Sequence, residues 1–129
     1  MITISYGYIT ARIYTSEAEI PIKDATFIVT GQSDENTILY GIRKTDENGK
    51  TTLISVDTPD IEISLTPGNQ KPFKSVNVII EHPDFITKYI TGVQIFPQQV
   101  SVQEASMLPN IKNKAESKIE KYDIDSQDL

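Results

Sequence analysis

Ile20-Pro21-Ile22-Lys23-Asp24-Ala25-Thr26-Phe27-Ile28-Val29-Thr30-Gly31 joins a proline-fixed turn to an alternating run that ends on glycine. Side chains of an extended chain point to opposite faces in turn, so Ala25, Phe27 and Val29 share one face, and Thr26, Ile28 and Thr30 share the other. The first of these is the candidate core face. Pro21 fixes its own φ, biases Ile20 toward extended geometry and removes a backbone donor, which suits the start or edge of a sheet rather than its centre.

The same alternation recurs on both sides of this stretch. Before it, Ile9, Ala11 and Ile13 fall opposite Tyr8, Thr10, Arg12 and Tyr14, which predicts a first core strand over Gly7 to Tyr14. Ile2, Ile4 and Tyr6 have the opposite phase, so the spacing predicts either a bulge at Gly7 or an N-terminal arm that pairs elsewhere. After it, Gln32 to Asn36 is polar, and Thr37 to Lys44 carries Ile38, Tyr40 and Ile42 in one phase. Thr45-Asp46-Glu47-Asn48-Gly49 then reads as a tight turn with Gly49 available for positive φ. Lys50 to Val56 follows with Thr52, Ile54 and Val56 in phase.

Asp57 to Phe73 is the longest irregular stretch, stiffened by Pro59, Pro67 and Pro72, with one candidate short strand at Ile61 to Leu65. Lys74 to Glu81 places Val76, Val78 and Ile80 inward, His82-Pro83-Asp84 turns, and Phe85 to Thr91 continues as strand up to a bend at Gly92. Val93, Ile95 and Phe96 are expected to seal one edge. In Gln99 to Leu108 the apolar phase moves from Val100 and Val102 to Ala105 and Met107, which predicts a bulge near Gln103 or Glu104.

From Asn110 the period changes. Ile111, Ala115, Ile119 and Tyr122 make a thin amphipathic stripe with lysines and glutamates between them, and Asn110 is a suitable N-cap. The expected organisation is one β domain over 1–109, a helix over 110–122 and an acidic disordered tail over 123–129.

At 129 residues the chain fits one domain with a single core. A net charge of −6 counts against nucleic acid and anionic membrane surfaces, which both require a positive field. No segment approaches the roughly 20 apolar residues of a membrane span, and Met1 to Tyr14 lacks the basic and apolar regions of a secretory signal. The expected location is the cytoplasm, or the interior of a larger particle or spore. Without cysteine there are neither disulfides nor thiolate chemistry, and one histidine cannot build a zinc site. Asp34-Glu35 and Asp46-Glu47-Asn48 lack the spacing of an EF-hand loop, so no metal or other cofactor is expected.

Gly7-Tyr8-Ile9, Ile20 to Phe27 and Thr45 to Lys50 together resemble the carboxypeptidase regulatory-like, or transthyretin-like, β-sandwich. Pro72-Phe73, Glu81-His82-Pro83-Asp84-Phe85, Gly92-Val93-Gln94-Ile95-Phe96, Gln103 and Met107-Leu108-Pro109 look like a clostridial-type variant, similar to the N-terminal region of spore-cortex-lytic enzymes. The resemblance implies an all-β, antiparallel Greek-key sandwich of about seven strands with the short helix appended. It does not carry an activity across, because these are turn and core positions that any such sandwich needs.

Two chemistries of similar sandwiches lack their residues here. A Lys-to-Asn isopeptide bond needs a first-strand lysine and a last-strand asparagine, but residues 7–14 hold no lysine and residues 99–108 no asparagine. Transthyretin-like hydrolases are similar in shape but use a histidine and arginine constellation, whereas His82 is the only histidine and reads as a turn residue. An enzyme is therefore not expected.

The expected function is a structural or adaptor module in a larger bacterial, phage-tail-like or spore assembly. Its candidate contact residues are Tyr8, Arg12 and Tyr14 on a sheet face, with Ile111, Ala115, Ile119 and Tyr122 on the helix. The helix stripe suits association with a partner or a second copy, and equally a cover over an open sheet edge. The alternative function is a cell-wall glycan module, for which Tyr6, Tyr8, Tyr14 and Tyr89 would have to supply the aromatic platform.

Overall fold

The computed structural model describes residues 5–33, 36–59 and 73–110. Among these residues seven strands run in order: β1 (Ser5–Thr15), β2 (Thr26–Ser33), β3 (Asn36–Lys44), β4 (Ile54–Thr58), β5 (Lys74–His82), β6 (Phe85–Ile95) and β7 (Val100–Met107). They form a three-stranded sheet in the order β4-β1-β7 and a four-stranded sheet in the order β3-β2-β5-β6.

One core lies between the inner faces of the two sheets. Ile9, Ala11, Ile13, Ile54, Val56, Ala105 and Met107 enter it from the three-stranded sheet. Phe27, Val29, Val76, Val78, Ile80 and Ile95 enter from the four-stranded sheet. The alternation read in β1, β2 and β5 is thus the alternation that packs, because burying one face of a pleated strand sends every second residue inward.

The Ile20 to Gly31 stretch links the two sheets. Pro21 bridges Tyr14 beside β1, and the Ile22 amide donates to the Ile13 carbonyl at 3.0 Å. The chain then turns through Asp24, whose φ of 63° lies in the left-handed region that aspartate tolerates, and β2 starts in the opposite sheet. Thr45 clamps this crossing from inside. Its hydroxyl accepts from the Ala25 amide at 2.9 Å and donates to the Ile22 carbonyl at 2.6 Å.

The turn after β3 forms as expected. The Asp46 carboxylate accepts from the amides of Asn48 and Lys50, and these two bonds hold its pKa below the ordinary carboxylate value. Gly49 has a φ of 75°, and a Cβ there would collide with the Ile13 carbonyl oxygen, so the position demands glycine on two grounds. Pro83 and Asp84 form the tip of the β5–β6 hairpin, where His82 pairs with Phe85.

Several expectations are corrected. β1 runs unbroken past Gly7, which instead lets Phe96 approach: a Cβ there would strike the Phe96 carbonyl. β3 does not keep one apolar phase, because its register against β2 shifts between Val29 and Thr30 and leaves Tyr40 as the extra residue. β4 begins at Ile54 rather than Lys50, since Thr51 is drawn to β1, where its hydroxyl accepts from the Ala11 amide. Asp57 and Thr58 belong to β4, not to a loop, and β6 continues through Gly92 to Ile95.

β7 contains no bulge. Its register against β1 is continuous from Tyr8 opposite Val100 to Thr15 opposite Met107, and the pair is parallel, unlike the antiparallel pairing expected throughout. β7 is reached from the other sheet, so no hairpin dictates its direction. The candidate strand at Ile61 to Leu65 and the segments 111–122 and 123–129 lie outside the described residues.

Candidate interaction face

The solvent side of the three-stranded sheet is set by β1. Because Ile9, Ala11 and Ile13 point into the core, Tyr6, Tyr8, Thr10, Arg12 and Tyr14 must point out. The parallel register then places Val100 beside Tyr8, Val102 beside Thr10, Glu104 beside Arg12 and Ser106 beside Tyr14. On the other flank, Asp57 stands opposite Tyr6 and Ser55 opposite Tyr8.

The face has two chemical halves. Toward the start of β1 it is apolar and aromatic, with Tyr6 and Tyr8 beside Val100 and Val102, which are 53% and 58% exposed. Toward the end it is charged. The Arg12 guanidinium lies 3.7 Å from the Glu104 carboxylate and 5.0 Å from the centre of the Tyr14 ring. Such an exposed pair contributes only about 0–1 kcal/mol to stability, so it orders the side chain more than it holds the fold. Between the halves, the Thr10 hydroxyl donates to the Thr51 carbonyl at 2.6 Å and ties the face to the segment before β4.

Of the residues singled out from sequence, Tyr8, Arg12 and Tyr14 stand together on this face, while Ile111, Ala115, Ile119 and Tyr122 lie outside the described residues. Val100 and Val102 were missed as surface residues. Their parity against Ala105 and Met107 was the available signal, and an unbroken strand resolves it by sending one pair out and the other in. The four tyrosines considered as a glycan platform divide: Tyr6, Tyr8 and Tyr14 share this face, and Tyr89 lies on the other sheet.

His82 sits at the hairpin tip. Its Nδ1 accepts from the Asp84 amide at 3.1 Å, and its ring meets the Phe85 ring edge-on at 5.3 Å. The hollow beside it is lined by Asp24, Thr26, Lys44, Glu81, His82, Pro83 and Thr87 and opens widely to solvent. Tyr40, Asp57 and Lys74 meet where the sheets adjoin. Burial raises the Tyr40 pKa, opposed by Lys74 and reinforced by Asp57. Among the described residues no group of three or more histidine, cysteine, aspartate or glutamate side chains is placed to hold a metal ion.

No family model matches the chain, and no curated protein matches it significantly. Among solved structures, a 3-chlorocatechol 1,2-dioxygenase from Rhodococcus opacus aligns with a TM-score of 0.47 and 9% identity. The alignment covers 84% of this chain and 61% of that one. A 9R-lipoxygenase from Cyanothece aligns with a TM-score of 0.42 and 11% identity, over 78% of this chain and 16% of that one. The likeness to both is a distant one between β-rich folds.

Proposed function

We propose that this chain is a transthyretin-like, Greek-key sandwich serving as a non-catalytic adaptor, which holds another protein against the outer face of its three-stranded sheet. The observation that carries this reading is the association of Tyr6 and Tyr8 with the exposed Val100 and Val102, bordered by Arg12 and Tyr14. Interfaces favour such a mixture of aromatic, arginine and apolar side chains at their centre. Two sheets, ordered β4-β1-β7 and β3-β2-β5-β6 and closed over one apolar core, support the sandwich part of this reading.

β7 adds a second recognition element. Among the described residues it is an edge of its sheet, and Val100 to Glu104 carries no proline or lysine to discourage a further strand. The setting we assign is a multi-protein bacterial, phage-tail-like or spore particle, on the resemblance carried by Glu81 to Phe85 and Gly92 to Phe96. A glycan would need a flat aromatic platform, but the Arg12 guanidinium lies over one face of the Tyr14 ring, which favours the protein partner.

The test compares the full chain with Tyr8→Asp/Val102→Asp as baits in extracts of the cells that make it, alongside binding to insoluble peptidoglycan. A protein captured by the first and lost by the equally folded second is the expected result. Retention on peptidoglycan that the double substitution abolishes would replace the adaptor with the glycan module.

A further inference from the structure

The backbone of β7 has an open side away from β1. The Tyr8 amide donates to the Gln99 carbonyl at 2.9 Å and the Ser16 amide to the Met107 carbonyl at 3.0 Å. In a parallel pair each residue bonds to the two that flank its partner, and Tyr8 stands beside Val100. The odd-numbered residues of β7 therefore turn their amides and carbonyls to β1, and the even-numbered ones turn theirs to the open side. Two of the outward carbonyls are taken: Ser106 accepts from the Lys88 Nζ, and Leu108, past the end of the strand, accepts from the Ile86 amide, both at 2.9 Å. Among the described residues nothing pairs with the outward groups of Val100 and Val102 or with the Glu104 amide, and the Glu104 carbonyl accepts from the Gln103 side chain at 3.2 Å.

This open stretch is its own complement. A second copy running antiparallel and centred on Val102 sets Val102 opposite Val102 and Val100 opposite Glu104. Both members of each pair then turn backbone groups to each other, so about six amide-to-carbonyl bonds close across a two-fold axis. The Glu104 carboxylate stays beside its own Arg12 and about 14 Å along the strand from its counterpart. On the other side of the strand Ser101 meets Gln103, a hydroxyl against an amide. Other centres fail: Glu104 at the axis would oppose two carboxylates, and Val100 at the axis would require Gln98, whose amide already donates to the Tyr6 carbonyl.

We propose that two copies of this chain pair antiparallel through their β7 edges about an axis at Val102, and join their three-stranded sheets into one sheet ordered β4-β1-β7-β7-β1-β4. The occupant of the edge is a second copy and not a foreign strand, because register, apolar side chains and charge all match between this segment and itself. Val102, 58% exposed in one copy, gains its counterpart as cross-strand neighbour, and Val100, 53% exposed, gains the second copy's Glu104. The pairing rests on the adaptor reading only for the open edge of β7. It leaves the outer face free for another protein and makes the faces of the two copies continuous, with Val100 and Val102 of both around the axis.

The absence of cysteine makes the register measurable in the full chain. Val100→Cys, Val102→Cys and Glu104→Cys, each introduced alone, are oxidised by air at equal concentration. Directly opposed residues of such a pair lie about 5.5 Å apart at Cα, a separation that a disulfide spans. The expected result is that Val102→Cys forms a linked dimer about tenfold faster than either other variant alone, and that Val100→Cys mixed with Glu104→Cys forms the mixed dimer as fast as Val102→Cys does. Equal rates for all three variants would overturn the pairing. Sedimentation of the unsubstituted chain is expected to show twice the mass of one chain at high concentration. Val102→Lys, which opposes two ammonium groups at the axis, is expected to return it to the single-chain mass with its thermal unfolding unchanged. A single-chain mass at every concentration, or a dimer that survives Val102→Lys, also overturns it. Capture of a protein through Tyr8 by a chain that stays single would sink the pairing and leave the adaptor reading standing.

Discussion

At the scale of the residue, Thr45 shows how one buried hydroxyl holds a change of sheet. It is 3% exposed, accepts from Ala25 and donates to Ile22, while its own amide and carbonyl pair with Ala25 and Asp24. Thr45→Val keeps the shape but leaves a buried donor and acceptor without this partner, at a cost of about 2 kcal/mol. Urea unfolding is expected to show that loss, with Thr45→Ser restoring most of it. A loss below about 0.5 kcal/mol for the valine variant would mean that other groups already satisfy Ala25 and Ile22. The alternating pattern of the chain flags neither bond, because a threonine at the start of a turn looks the same whether its hydroxyl meets solvent or a carbonyl.

At the scale of the element, β2 is the strand that both faces of the four-stranded sheet depend on, being paired with β3 on one side and β5 on the other. Its inner face buries Phe27 completely, among the largest side chains in the core. Phe27→Ala is expected to cost about 3–5 kcal/mol, and Ile28→Ala, one residue along on the outer face, distinctly less. Denaturant midpoints for the two variants measure the contrast; equal losses would mean that the outer face is as well covered as the inner. β7 carries the complementary lesson. Its two apolar pairs, Val100 with Val102 and Ala105 with Met107, differ in parity, and either a bulge or an outward-facing pair accommodates them. The unbroken parallel register with β1 selects the second.

At the scale of the whole molecule, fifteen buried apolar residues among the described ones, from Ile9 to Met107, close one core between two sheets. A chain ending at Asn110 keeps all of them and is expected to retain a single cooperative unfolding transition, measured by circular dichroism. Loss of cooperativity would make residues 111–129 part of the core itself. Much of this architecture was legible beforehand: alternation in Ile9 to Ile13, Ala25 to Val29 and Val76 to Ile80 identifies inner faces, and Asp46 to Gly49 and Pro83-Asp84 identify turns. Those signals are local, arising from the pleat of one strand or the φ of one glycine, so a linear chain displays them. What only the tertiary structure decided is which strands become neighbours. The placement of Val100 beside Tyr8, and the alignment of Ile42, Ile28, Ile79 and Tyr89 on one rung, depend on register between segments distant in sequence. That register follows from closing one core between two sheets, and no alternation within a single strand encodes it.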